Sequence, residues 1–396
     1  MTDIPFGKKF RETYFTTLSH DLIPVNHGSS GGVPTPVAES YMEKFQSVNQ
    51  FPDKFFRMEK EQIYIKSLKC IGTVLNCDYH DLAILDNATT ALNTILRGLV
   101  FKPGDVFVFH NTCFGPCKET MQYMKEVFGI KLVEIDLQYP ILQEEIVDKF
   151  RDVFLKYQPK LCLFDAISSM PAMTLPYIEL TKLCKEFNVL SLIDGSHCIG
   201  TINPDLSILQ PDFFISLLHK WYFVPRPCCM MYVNHIHHAN IQPFPVYKYS
   251  NEMNGDNTLI DKFSFWTTRN HIPIATIPEA FKFRNCECKG EQAIYQYCHK
   301  LAVEVGKMLA EMWETSYLSD KEQISTMINV EVPFGDIHIW KKIEEPVMKE
   351  LVKRNVYIPL VVHNGKLYAR FSAQIYTELE DFRKAGDILI DTLIKF

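Results

Sequence analysis

The sequence predicts an α/β protein: a mostly parallel sheet with helices on both faces, followed by a smaller C-terminal α+β unit. Two observations carry this. Between residues 82 and 233, short apolar runs of strand length alternate with helix-length amphipathic stretches, the pattern of a parallel sheet covered by helices. From about residue 275 the alternation stops and helices and strands mix differently. The expected organisation is an N-terminal helical arm over 1–24, a large domain over 25–274 and a small domain over 275–396.

Residues 6–22 read as a short amphipathic helix ended by Pro24. The glycine- and serine-rich stretch Asn26-His-Gly-Ser-Ser-Gly-Gly32 reads as a turn whose backbone approaches something closely. Helices are expected over 35–49 and 58–76. Leu82-Ala-Ile-Leu85 is a buried strand; Asp86-Asn-Ala-Thr89-Thr90 is a polar turn opening a helix over 91–99. A strand, a polar turn and a helix N-terminus make an anion site, although Thr89 or Thr90 could equally cap the helix. Strands 106–110, 131–135, 161–164, 189–193, 212–218 and 228–233 follow, separated by helices 117–127, 142–157 and 177–187. In such sheets ligands bind at the C-terminal strand ends, where Thr89, Phe114, Ser168, Asp194 and Lys220 all fall. The C-terminal part predicts helices over 275–284 and 290–316, strands near 325–333, a helix over 343–353, strands near 356–361 and 367–372, and a last helix over 379–395. Thr377 with Glu380 three residues on has capping-box spacing.

Net charge is −6, and 47% of the 396 residues are hydrophobic. Basic and acidic residues are interspersed, which gives no nucleic-acid or polybasic membrane signature. No apolar run reaches the roughly 18 residues that suggest a membrane span, and the N-terminal residues lack a secretory pattern. Twelve scattered cysteines then read as reduced thiols in a cytoplasmic, or also nuclear, protein. Cys228-Cys229 and Cys286-Glu-Cys288 lack a second cluster at zinc spacing, and His235, His237 and His238 read as a solvated loop, so no metal site is expected.

The chemistry concentrates in Ser216-Leu-Leu-His219-Lys220-Trp221 and Ile193-Asp194-Gly-Ser-His197. A lysine at the end of an apolar run loses its proton readily, because burial disfavours the charged form. A neutral amine is a nucleophile that forms a Schiff base with an aldehyde. A carboxylate at a neighbouring strand end can hold a pyridinium nitrogen, and the two together equip a pyridoxal phosphate (PLP) site. Taken singly, the lysine could merely snorkel and Asp-Gly could merely turn.

Six segments in order resemble the class V aminotransferase family, a fold-type I PLP group, in its isopenicillin N epimerase-like branch: Asn26-His-Gly-Ser29, Asn87-Ala-Thr-Thr90, Asp194-Gly-Ser-His197, His219-Lys220-Trp221, Trp266-Thr-Thr-Arg269 and Arg370-Phe-Ser-Ala-Gln-Ile-Tyr376. The resemblance runs from about residue 24 to 385. It implies that Lys220 links PLP, that Asp194 holds the ring nitrogen, that His197 faces the phenolic oxygen, and that Phe114 stacks on the ring. It implies phosphate contacts from Ala88, Thr89 and His219, with Thr268 reaching across a homodimer that shares its active sites. Ser168 would lie at the cofactor, and Asn26 and Arg370 at the carboxylate of an amino-acid substrate.

Family members carry a polar residue where Leu217 stands, with Ser216 one place off, and often Tyr or His where Phe114 stands. The resemblance leaves β-elimination, epimerisation and transamination open. A desulfurase route lacks its nucleophile, since no cysteine follows Cys298. Phe164-Asp-Ala-Ile-Ser-Ser-Met-Pro171 resembles the fungal hercynylcysteine sulfoxide lyases of ergothioneine biosynthesis, which implies a carbon–sulfur β-lyase. Tyr222 is one candidate for the acid that Phe114 cannot supply. A PLP-binding scaffold without catalysis is the alternative of another class.

Overall fold

The computed structural model describes residues 4–244, 246, 258–264, 268–318 and 321–396. Seven strands form the main sheet: β1 (Leu82–Leu85), β2 (Val106–His110), β3 (Lys131–Ile135), β4 (Leu161–Asp165), β5 (Leu190–Asp194), β6 (Phe213–Leu217) and β7 (Cys229–Val233). Their order is β1-β7-β6-β5-β4-β2-β3. β7 runs antiparallel to both neighbours; the pairings from β6 through β3 are parallel. Every residue of β1, β4, β6 and β7 is buried, because helices cover both faces. That is why these strands read as unbroken apolar runs.

A second sheet holds β8 (Met327–Glu331), β9 (Leu360–His363) and β10 (Lys366–Ser372) in the antiparallel order β8-β10-β9. The helix Glu291–Trp313 packs on it and on the helix Leu379–Leu393, whose Phe382 ring meets Phe371 of β10 at 6.0 Å. No helix among the described residues is long and apolar enough to cross a membrane.

Several local expectations are corrected. The N-terminal helix is Lys8–Tyr14 rather than 6–22. Thr16 and Thr17 turn their hydroxyls to Thr35 and the Val33 carbonyl, and such side-chain bonds compete with helix. The arm is also tied to the C-terminal part of the chain, through Gly7 N–H to the Ile375 carbonyl (2.7 Å) and Arg11 to Asp381 (2.8 Å). The last helix is capped one residue later than expected. Glu378 and Asp381 form the box, while the Thr377 hydroxyl is spent on the Gln374 backbone. His235–His238 is not simply a solvated loop: His237 bonds Asp212 at 2.7 Å, and buried His238 lies 3.1 Å from Asp81.

Candidate active site

The C-terminal ends of β4, β5 and β6 open into a cavity of about 300 Å³. Ala88, Phe114, Asp165, Ser169, Asp194, His197 and Lys220 line it, with Ser29 from the glycine-rich turn. Lys220 sits on the single helical turn Leu218–Trp221 directly after β6. Burial pushes its amine down to about 8, against the pull of Asp194 and Asp165. The Phe114 ring centroid lies 6.0 Å from Nζ. His197 Nε2 is 3.1 Å from the same nitrogen; burial, then Lys220 and Arg370, hold this imidazole well below the usual histidine range.

The turn bearing Lys220 is seated by backbone contact. Gly31 adopts φ +71°, and a Cβ there would lie 2.0 Å from the His219 carbonyl oxygen. Glycine is therefore required for the N-terminal turn to dock against the lysine. Across the cavity Asp194 accepts a hydrogen bond from Ser196 N–H at 2.9 Å, and the Cys117 thiol lies 3.6 Å from its Oδ2.

The helix Ala88–Gly98 begins at the cavity wall. Asn87, not Thr89 or Thr90, is its cap, accepting from the Thr90 N–H at 2.8 Å. The hydroxyl of exposed Thr89 is consequently not used in capping, and the first-turn amides suit an anion. His219 has Nδ1 pinned by the Cys228 backbone at 2.8 Å, which leaves Nε2 as its remaining polar atom.

Arg370 stands in β10, its residue 2% exposed. Its Nη1 donates to the Ser169 carbonyl (2.9 Å) and hydroxyl (3.2 Å), its Nη2 to Asn26 Oδ1 (2.9 Å) and Ser29 Oγ (2.6 Å). Nε has no partner. All these acceptors are neutral, and burial pushes the guanidinium down to about 10. A buried cation without a counter-charge is costly, so the arrangement is built to receive an anion, and the planar fork suits a carboxylate. Asn26 acts here by holding Arg370; it does not line the cavity.

Two expectations change, those for Ser168 and Tyr222. Ser168 is fully buried, and its hydroxyl donates to Pro171 (2.7 Å) and Met173 (3.3 Å) carbonyls in its own loop. It is Ser169 that faces the cavity. Thr268 is exposed and absent from the cavity of its own chain, while Trp266 and Thr267 lie outside the described residues. Tyr222 packs against Arg284, 4.9 Å from ring centroid to guanidinium carbon, away from the site. Ser216 is likewise turned away, its hydroxyl tying Gly195 to Ile199.

Asp165, unassigned by sequence, lines the cavity beside Asp194, the two being register partners on β4 and β5. Its Oδ1 is buried without a partner, 3.8 Å from the His110 ring. Burial, then the Asp194 carboxylate, raises Asp165 well above the usual carboxylate range. The signal available in sequence was the lone acid closing the apolar run Leu161-Cys-Leu-Phe164. A carboxyl whose folded value is raised stabilises the fold fully below the unfolded value, and that contribution is lost as pH rises toward the folded value. Asp165→Asn removes the penalty, so cofactor-free Asp165→Asn should melt above wild type at pH 8. The gap should close below pH about 4, as checked by thermal melts across pH.

PLP fits these residues. Lys220 offers an amine that burial makes easier to deprotonate, Asp194 a buried carboxylate, Phe114 an exposed ring face, the Ala88–Gly98 helix an anion site, and Arg370 an unmatched cation. The family model for class-V aminotransferases matches residues 29–358. The chain belongs to that family. PLP is accordingly its cofactor.

The hercynylcysteine sulfoxide lyase of Schizosaccharomyces pombe is 27% identical over 393 residues, covering 98% of this chain and 97% of that protein. An L-cysteine desulfhydrase-like protein of Epichloe uncinata is 26% identical over 435 residues, covering 98% and 95%. The isopenicillin N epimerase of Streptomyces clavuligerus matches about half the chain, at 22% identity over 211 residues. Among solved structures, a variant of C-DES with glycine linked to its PLP cofactor superposes with TM-score 0.80 at 16% identity, over 96% of this chain and 99% of that one. A cysteine desulfurase from Thermococcus onnurineus gives 0.76 at 16% identity over the whole of both chains. These confirm the fold-type I architecture.

Proposed function

We propose that this class-V aminotransferase relative is a PLP-dependent carbon–sulfur β-lyase acting on a cysteine-derived amino acid, and that its substrate is hercynylcysteine sulfoxide. The observation that carries an amino-acid substrate is Arg370: a buried guanidinium with only neutral partners, two of which, Ser29 and Ser169, line the cavity that holds Lys220. The names of the curated relatives, sulfoxide lyase and cysteine desulfhydrase, support cleavage at sulfur.

PLP supplies the electron sink for the pair left at the substrate α-carbon. Arg370 binds and orients the carboxylate, displacing some of its contacts to Ser29, Asn26 and Ser169. Lys220, its amine lowered by burial to about 8, takes the α-proton in its uncharged form. Phe114 covers one face of the cavity and excludes water without donating a proton. Asp165, whose carboxyl burial and the Asp194 carboxylate raise above the usual carboxylate range, lines the cavity where neither Phe114 nor Tyr222 offers a donor. Loss of sulfur from the β-carbon leaves an enamine that hydrolyses to pyruvate and ammonia.

The test is a pyruvate assay of PLP-loaded protein with hercynylcysteine sulfoxide, L-cysteine and L-alanine in parallel. Pyruvate from the sulfoxide supports the proposal. Pyruvate and sulfide from L-cysteine alone would reassign the substrate, and conversion of the cofactor to its pyridoxamine form without pyruvate would make the chain an aminotransferase. Arg370→Ala should raise KM by roughly 10- to 100-fold, the worth of hydrogen bonds to a charged group, with a smaller change in kcat. Steady-state kinetics with the accepted substrate check this.

The working unit is proposed as a two-fold dimer. Exposed Thr268 would complete the partner's phosphate site, and the exposed apolar side chains Met42, Phe45, Phe51 and Met58 on one stretch of chain suit an interface. Sedimentation of the holoenzyme checks the mass.

A further inference from the structure

We propose that Trp221 is a positioning residue that fixes the tautomer of His197, so that the ring nitrogen facing Lys220 always carries a hydrogen and the amine it meets is the neutral, nucleophilic form. This deepens the reading of Lys220 as the aldehyde-binding amine and rests on it.

Three side chains stand in line. Trp221 Nε1 donates to His197 Nδ1 at 3.0 Å, and His197 Nε2 lies 3.1 Å from Lys220 Nζ. An indole N–H can only donate, so Nδ1 is the acceptor and a neutral imidazole then carries its hydrogen on Nε2. An ammonium has three donors and no acceptor. Set against Nε2–H it would place donor against donor. An uncharged amine offers a lone pair and completes the chain Trp221 to His197 to Lys220.

The indole is not free to choose another partner. Trp221 and His197 are 1% and 2% exposed. The Trp221 carbonyl is gripped by Arg284 Nη1 at 2.8 Å. The ring packs on His27, centroids 5.1 Å apart, and a Cβ on Gly28 would lie 2.9 Å from its Cζ2. Rotating the indole would need this whole wall to move.

Other groups act on the same amine. Asp194 and Asp165, at the ends of β5 and β4, favour its charged form, as does Cys117 from the helix Gly115–Phe128; Arg370 of β10 and burial oppose it. Lys220 and Arg370 face His197 and disfavour a second proton on its ring. With opposing charges so distributed, the direction of the His197 hydrogen bond tips the outcome. Without the indole N–H, His197 can move its hydrogen to Nδ1 and accept at Nε2, a state that welcomes an ammonium.

The test uses cofactor-free protein. In the first arm, nitrogen-15 NMR of ring-labelled histidine, with the His197 signals assigned by difference from His197→Gln, should show protonated Nε2 and bare Nδ1 in wild type. A protonated Nδ1 in wild type overturns the proposal. In the second arm, the pH midpoint for imine formation with pyridoxal is compared between wild type and Trp221→Phe. The variant midpoint should rise by about one pH unit, the equivalent of one redirected hydrogen bond. An unchanged midpoint in a variant that melts like wild type also overturns it. The first arm does not use Trp221→Phe and decides the tautomer even if that variant folds poorly. Failure of wild type to form any imine would overturn the functional reading instead, leaving the nitrogen signals to decide the tautomer alone.

Discussion

Lys220→Ala is expected to lower kcat by about 10²- to 10⁴-fold, the worth of a positioned acid–base group, and to abolish the absorbance of lysine-linked cofactor while leaving the fold intact. Both effects follow from the placement of the side chain. Its nitrogen lies within reach of His197 Nε2 and the Phe114 ring, and among the described residues no other lysine lines the cavity. Removing an amine that burial already drives toward neutrality deletes no ion pair. Cofactor-free Lys220→Ala should therefore melt no lower than cofactor-free wild type. Absorbance spectra, turnover and thermal melts of the two proteins check this, and a variant that still turns over at wild-type rate would remove Lys220 from the mechanism.

Arg284→Ala carries the largest expected cost in stability, about 3–5 kcal/mol, because it removes the buried half of an ion pair and leaves two carbonyls without their donor. Arg284 is 0% exposed. It pairs bidentately with Glu291, at 2.6 Å for both contacts, and donates to the carbonyls of Trp221 (2.8 Å) and Gly200 (3.0 Å). Its plane lies 4.9 Å from the centroids of Tyr222 and Phe223. Lysine cannot reproduce this fork, so Arg284→Lys should recover little. Arg284→Met combined with Glu291→Gln, which orphans no charge, should recover more than Arg284→Ala. Denaturant melts rank the three variants. The Trp221 contact also predicts that Arg284→Ala weakens cofactor retention, although Arg284 lies outside the cavity.

What was legible in sequence was whatever rests on local pattern. The apolar runs of the main sheet became strands at nearly the expected residues, since strands buried on both faces leave unbroken runs. Lys220, Asp194 and Phe114 were read as neighbours because strand ends of a parallel sheet converge, and His197 through the family resemblance; the cavity lines up all four. Ser168 and Ser169 show the limit. They differ by one position in a loop without periodicity, and only the hydrogen bonds of Ser168 to Pro171 and Met173 reveal which hydroxyl is spent. The Thr377 cap failed similarly, because Thr377 and Glu378 are both capable caps and the turn at Gln374 chose between them.

The sequence by itself determined the fold class through spacing and residue type that local physics makes readable, and the family, with its cofactor, through the resemblance of six segments. Only the tertiary structure decided charge and direction. That the Asp165 carboxyl is raised depends on burial and on the strand placed beside it, that Arg370 lacks a counter-charge depends on two distant turns, and that His197 has one tautomer depends on an indole behind it. Protonation follows burial and neighbouring charge, and those are properties of packing that no stretch of chain carries alone.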